Sequence, residues 1–199
     1  MKRFLCIFGS MLCVLMVLNV VYANAESVIA KGDKLFTRTN LLVKGKTVFF
    51  HNMSALADTI HVGTEVEITG TAGKLIYFKV IDTGKSYHVT DKPSVYAKYF
   101  VKDKDEIGLE LMDEKAKEAV KGMTAYSGMT KNEVFASKGC PAYIGYGVKS
   151  WGHSLDQLMA SDTWYYNLNT RKKDMVIEFE DGIAVKVLDR IGFKKVKEK

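Results

Sequence analysis

The chain has 199 residues and a formal net charge of +6, with 47% hydrophobic and 26% charged residues. That length allows one ordinary domain or two small ones. Its positive charge is mild and spread along the chain, which excludes the clustered basic footprint of a dedicated nucleic-acid binder.

The N-terminus opens Met1-Lys2-Arg3 and continues in an apolar run from Phe4 to Tyr22, broken only by Gly9, Ser10 and Asn19. Ala23-Asn24-Ala25 follows, with small residues at the two positions a signal peptidase inspects. Cation, apolar core and A-x-A are the layout of a secretory signal, and cleavage is expected after Ala25. The run exceeds the roughly 7–15 residues usual for a signal core and approaches the roughly 18–20 that span a bilayer, so an uncleaved anchor is the weaker alternative. Cys6 and Cys13 lie in this segment without a Leu-small-small arrangement before either, which argues against lipidation. Cleavage removes Lys2 and Arg3, and of the three cysteines leaves only Cys140. The exported chain then has no intramolecular disulfide, and its fold rests on an apolar core.

Residues 26–101 read as a β-rich, barrel-like module, a small antiparallel barrel or curled sheet. Lys34–Thr39 alternates polar and apolar, and Lys46–His51 is β-branched and aromatic. Gly63–Gly70 alternates with Val66 and Ile68 on one face. Lys74–Ile81 is a stronger strand, the Asp82–Lys85 turn follows, and Ser86–Thr90 is a further short strand. Pro93–Phe100 reads as a helix start with Val95, Tyr99 and Phe100 on one face. Lys102–Glu106 is a solvated charge run, which places a linker at 102–112.

The second module, 113–190, opens with good helix formers over Asp113–Lys121, stopped by Gly122. Thr130 and Glu133 form a capping box for a second helix that ends at Gly139, before Pro141. Tyr143–Gly152 reads as a loop. Strands are expected at Thr163–Asn167, Met175–Phe179 and Ile183–Leu188, the last two joined by the hairpin signal Asp181-Gly182. The expected class is therefore α+β: a barrel-like module followed by helix, helix and a three-stranded antiparallel sheet. Residues 191–199 read as a basic tail.

Gly128-Met129-Thr130-Lys131-Asn132-Glu133-Val134, Gly139-Cys140-Pro141, Asp162-Thr163-Trp164-Tyr165-Tyr166 and Phe179-Glu180-Asp181-Gly182 occur in an order that resembles the BamE family, also called SmpA/OmlA. The resemblance covers about residues 122–190. It implies a helix pair packed on a small antiparallel sheet, the fold also seen in β-lactamase inhibitor proteins. It further implies a protein-binding or envelope-assembly role without catalysis; the family's named member is a lipoprotein accessory of the outer-membrane β-barrel assembly machine. The chain departs from the family in lacking a lipobox, in carrying the front β module, and in having Cys140 where Pro is more usual.

Catalytic constellations are weak. Cys140 with His153 or His88, oriented by Asp156, is the one arrangement that would make a thiol or hydrolytic enzyme; a lone cysteine more often packs as a small hydrophobe. His51, His61, His88 and His153 lack the spacing of a zinc motif. Asp103, Asp105 and Glu106 lack the glycine and terminal Glu of a calcium loop. Gly145-Tyr146-Gly147 has no phosphate-loop context, and no Gly-x-Ser-x-Gly elbow is present. No cofactor and no metal are expected.

In an alternating strand Trp164 and Tyr166 face one side and Tyr165 the other. Tyr165, with Tyr143, Tyr146 and Trp151 of the loop, makes the candidate partner-binding set. The expectation is an exported, non-enzymatic envelope protein, periplasmic or secreted. Its partner is a protein or an envelope polymer, peptidoglycan included, with membrane-surface association open to a basic chain and no nucleic acid.

Overall fold

The computed structural model describes residues 29–49, 58–166 and 175–189. The expected signal, Phe50 and His51, the turn around Arg171–Lys173, and the basic tail lie outside the described residues.

Eight strands build a first sheet: β1 (Lys34–Thr37), β2 (Leu41–Lys44), β3 (Thr47–Val48), β4 (Asp58–Ile60), β5 (Glu65–Ala72), β6 (Leu75–Val80), β7 (Ser86–Thr90) and β8 (Phe100–Val101). Their order is β4-β2-β3-β7-β6-β5-β1-β8. Alternation sets the faces: Val66 and Ile68 of β5 and Ile76, Phe78 and Val80 of β6 are buried, while their neighbours Glu67 and Lys79 form a surface ion pair at 3.2 Å. The buried side closes over Leu35, Val43, Val48, Val89, Tyr99 and Phe100.

The second sheet has the order β10-β9-β11-β12-β13. Its strands are β9 (Tyr143–Ile144), β10 (Val148–Lys149), β11 (Thr163–Tyr166), β12 (Met175–Glu180) and β13 (Ile183–Asp189). Asp181 and Gly182 take φ 49° and 79° between β12 and β13, the left-handed pair that a tight two-residue hairpin needs. Three helices accompany this half: α1 (Glu114–Lys121), α2 (Lys131–Lys138) and α3 (Leu155–Met159). Met129, Val134, Phe135 and Leu158 pack on Trp164, Tyr166, Ile177 and Phe179. Trp164 meets Phe179 edge-on at 4.8 Å.

This architecture overturns the expected α+β class. The described residues are mostly β, 38% of them strand against 24% helix. The helices are short because Gly122 and Gly139 stop α1 and α2 at eight residues each. The segment read as a Tyr-rich loop instead supplies β9 and β10, turning the expected three-stranded meander into five strands. The first sheet takes the curled form of the two expected, a half-barrel, and departs from the expected antiparallel pairing in that β3 and β7 run parallel. The expected helix at Pro93–Phe100 is a 3-10 segment, Pro93–Lys98, irregular at Val95, and Phe100 belongs to β8.

The two sheets meet through a third apolar cluster, in which Val101 and Ile107 pack with Met112, Ala116, Val120 and Ala136. Polar contacts reinforce it. The last carbonyls of a helix have no partner within the helix. Here the β1–β2 connection supplies one: the Thr39 hydroxyl donates to the Phe135 carbonyl at 2.5 Å, and the Asn40 backbone N–H donates to Ala136 O at 3.1 Å. The Asn40 amide donates to Val120 O at 2.7 Å and Ser137 O at 3.1 Å, and its oxygen accepts from Val62 N at 3.0 Å.

Candidate functional site

Two arrangements stand out, one buried between the sheets and one on the surface beside it. The buried one is built on Asp91, just after β7, and Lys98, at the end of the 3-10 segment. Both side chains are 0% exposed, and Lys98 Nζ lies 2.7 Å from Asp91 Oδ2. The Tyr99 hydroxyl donates to the same oxygen at 2.5 Å. The other oxygen accepts the backbone N–H groups of Lys92 at 2.7 Å and Gly152 at 3.1 Å. A buried carboxylate is tolerated only when paired and hydrogen-bonded, and Asp91 meets both conditions. Lys98 also reaches the Ser150 carbonyl at 3.5 Å, so the pair ties the first sheet to the connection between β10 and α3.

Cys140 borders this pair. It is 3% exposed, with its Sγ 3.6 Å from Ser150 Oγ. The Ser150 hydroxyl donates to the Pro141 carbonyl, which leaves the thiol as the donor toward Ser150. Burial pushes the thiol up to about 11, against the opposing pull of the Lys98 ammonium. Its polar surroundings are thus the Ser150 hydroxyl, the Lys98 ammonium and the Asp91 carboxylate. The histidines named in the thiol-enzyme alternative are engaged elsewhere or buried: His88 Nε2 lies 3.2 Å from Thr47 Oγ1, and His153 keeps Nδ1 buried with no hydrogen-bond partner. Among the described residues no group of three or more His, Cys, Asp or Glu could hold a metal ion.

The four predicted binding residues do not form one patch. Tyr143 of β9 and Tyr165 of β11 are register partners, half-buried side by side on the sheet face opposite Trp164 and Tyr166. Tyr146 stands apart and fully exposed at the tip of the β9–β10 hairpin, next to exposed Val148. Trp151 turns toward the first sheet: Lys74 Nζ lies 4.8 Å and Lys92 Nζ 5.8 Å from its ring centroid. Sequence reading missed Asp91, Lys98, Lys74 and Lys92. Lys98 sits in a segment read as a helix start with Val95, Tyr99 and Phe100 on one face. No local pattern marks the other three.

No protein-family model matches the chain, no curated protein matches it, and no solved structure matches it. Among the described residues no helix is long and apolar enough to cross a membrane.

Proposed function

We propose that the chain is an exported, non-enzymatic module of the cell envelope that binds a protein or an envelope polymer. The observation that carries this reading is the state of Cys140. The nucleophile a thiol enzyme would use is sealed at 3% exposure and pushed up to about 11, where at neutral pH almost none is thiolate. The aromatic residues Tyr146 and Trp151, by contrast, lie on connections at the surface, where binding residues are typically found. The secretory layout of residues 1–25 supports export. The BamE-like motifs support a role as an envelope-assembly accessory, as a likeness of sequence alone.

The test has two arms. Iodoacetamide at pH 8 is expected to label Cys140 slowly in the folded protein and rapidly in denaturant; rapid labelling of the folded protein would favour the thiol enzyme. A photo-crosslinking residue at position 146, used in the native host, is expected to trap a discrete envelope adduct that free photo-label competitor does not remove. Absence of any adduct from positions 146 and 151 would count against a binding module.

A further inference from the structure

Lys74 ends the β5–β6 turn and Lys92 follows β7. Leu75 pairs with Thr90 across β6 and β7, so the two lysines leave the same end of one strand pair. Both converge on the indole of Trp151, which arrives from the other half of the molecule. The convergence is built in. Asp91 holds the backbone N–H groups of both Lys92 and Gly152, fixing the two strands of chain side by side. Gly152 takes φ +76°, and a Cβ there would lie 3.2 Å from Lys92 Cε, so glycine makes the berth in which the lysine lies. Among the described residues neither ammonium has a carboxylate within ion-pair distance. Asp91 does not neutralise them from nearby, because its charge is sealed and matched by Lys98.

The surface continues down the outward face of β6 and β7. Tyr77, 36% exposed, contacts the His88 ring at 5.7 Å, and His88 in turn meets Thr47. Thr90 and Ser86 expose hydroxyls on the same strand face. The result is a stripe: two uncompensated cations at one end, an aromatic pair beyond them, and hydroxyls along the side. Uncompensated ammonium groups held in place select an anion. A half-exposed tyrosine face and hydroxyl groups suit sugar rings, which present C–H faces and hydroxyl edges. Insertion into a bilayer needs a broad projecting apolar face, and here the aliphatic member, Leu75, is half-buried in the sheet.

We propose that the stripe Trp151, Lys74, Lys92, Tyr77 and His88 is a binding site for an acidic polysaccharide, with the two lysines taking its carboxylate groups and Tyr77 a sugar ring. This deepens the binding-module reading and rests on it.

The experiment is calorimetric titration of the purified protein with alginate oligosaccharides, beside dextran as a neutral glycan and vesicles of phosphatidylglycerol. Alginate is expected to bind, more weakly as salt rises, and dextran is expected not to. The double variant K74Q/K92Q and the single variant Y77A are each expected to raise the dissociation constant tenfold or more without moving the thermal unfolding midpoint. Equal alginate binding by the variants, equal binding of dextran, or vesicle binding that the variants lose while alginate never binds would each overturn the proposal. If alginate fails while crosslinks still form from position 146, only this site falls; if both fail, the binding-module reading falls with it.

Discussion

Lys98 and Asp91 form an ion pair at 2.7 Å with neither side chain exposed, and through it the first sheet grips the Ser150–Gly152 connection of the second half. A buried pair of this kind is weak evidence of net stabilisation, because desolvating both charges offsets their attraction. What it does specify is position: with Tyr99 and two backbone N–H groups also on Asp91, one carboxylate accepts from two parts of the chain that are distant in sequence.

Replacing Asp91 by Asn keeps the shape and leaves the Lys98 ammonium without a counter-charge. Breaking a buried pair on one side costs about 3–5 kcal/mol. Urea unfolding of Asp91→Asn is therefore expected to show a large loss, and adding Lys98→Met to be less harmful than the sum of the two single changes. An unchanged urea midpoint for Asp91→Asn would mean that the pair does not form.

Asn40 is the second joint. Its side chain satisfies Val120 O, Ser137 O and Val62 N at once. Asn40→Ala would strand Ser137 O and Val62 N in the interior, while Val120 O keeps the Met123 N–H at 3.2 Å; each unsatisfied buried group costs about 1–3 kcal/mol. The expected outcome is a loss of at least about 2 kcal/mol in chemical denaturation. Asn40→Asp is expected to fare no better, because a carboxylate cannot donate to the two carbonyls. A loss of only a few tenths would show that water replaces the amide.

The features legible in the sequence were those decided within a few residues. Thr130 and Glu133 announce a helix start by their spacing, and Asp181-Gly182 announces a hairpin by backbone preference. Glu65–Thr69 shows its faces by alternation. What stayed hidden was decided at long range. β9 and β10 are two residues each, too short for any periodicity, and exist because Ile144 pairs with Trp164 across the sheet. Nothing near Lys98 marks it as buried, since its partners are Asp91 and a carbonyl at residue 150. The candidate site was half legible: Trp151 is a plain aromatic in a loop, but the two lysines that meet it come from the other sheet. His153 keeps a buried nitrogen unpaired, for which the structure offers no physical reason.

The Thr130 cap gives a local test. Its hydroxyl accepts from Glu133 N at 3.2 Å, and Glu133 Oε2 accepts from Thr130 N at 2.7 Å. Thr130→Ala is expected to cost about 1 kcal/mol through the lost cap. Glu133→Gln is expected to cost less, because an amide oxygen still accepts from the Thr130 backbone. Thermal melts of both variants check the order; a Thr130→Ala midpoint equal to the parent's would show that the cap carries no weight.

Alkaline pH probes the buried acids together. Cys140 is raised from 9.0 to about 11 by burial, and burial also raises Tyr99 and Tyr166 well above 10.0. In each case the folded state holds the proton more tightly than the unfolded state does. Their contribution to stability is therefore complete below about pH 9 and is lost as pH rises through the folded values. A shift of about two units in the thiol corresponds to roughly 2–3 kcal/mol across that window. The urea midpoint is thus expected to be flat between pH 7 and 8.5 and to fall between 9 and 11. Cys140→Ala lowers the whole curve by removing a packed side chain, but its alkaline fall is expected to begin nearer pH 10, where the tyrosines take over. The shape of the curve is the readout: an identical onset in parent and variant would mean that the thiol ionises as readily folded as unfolded, and that Cys140 is open to solvent after all.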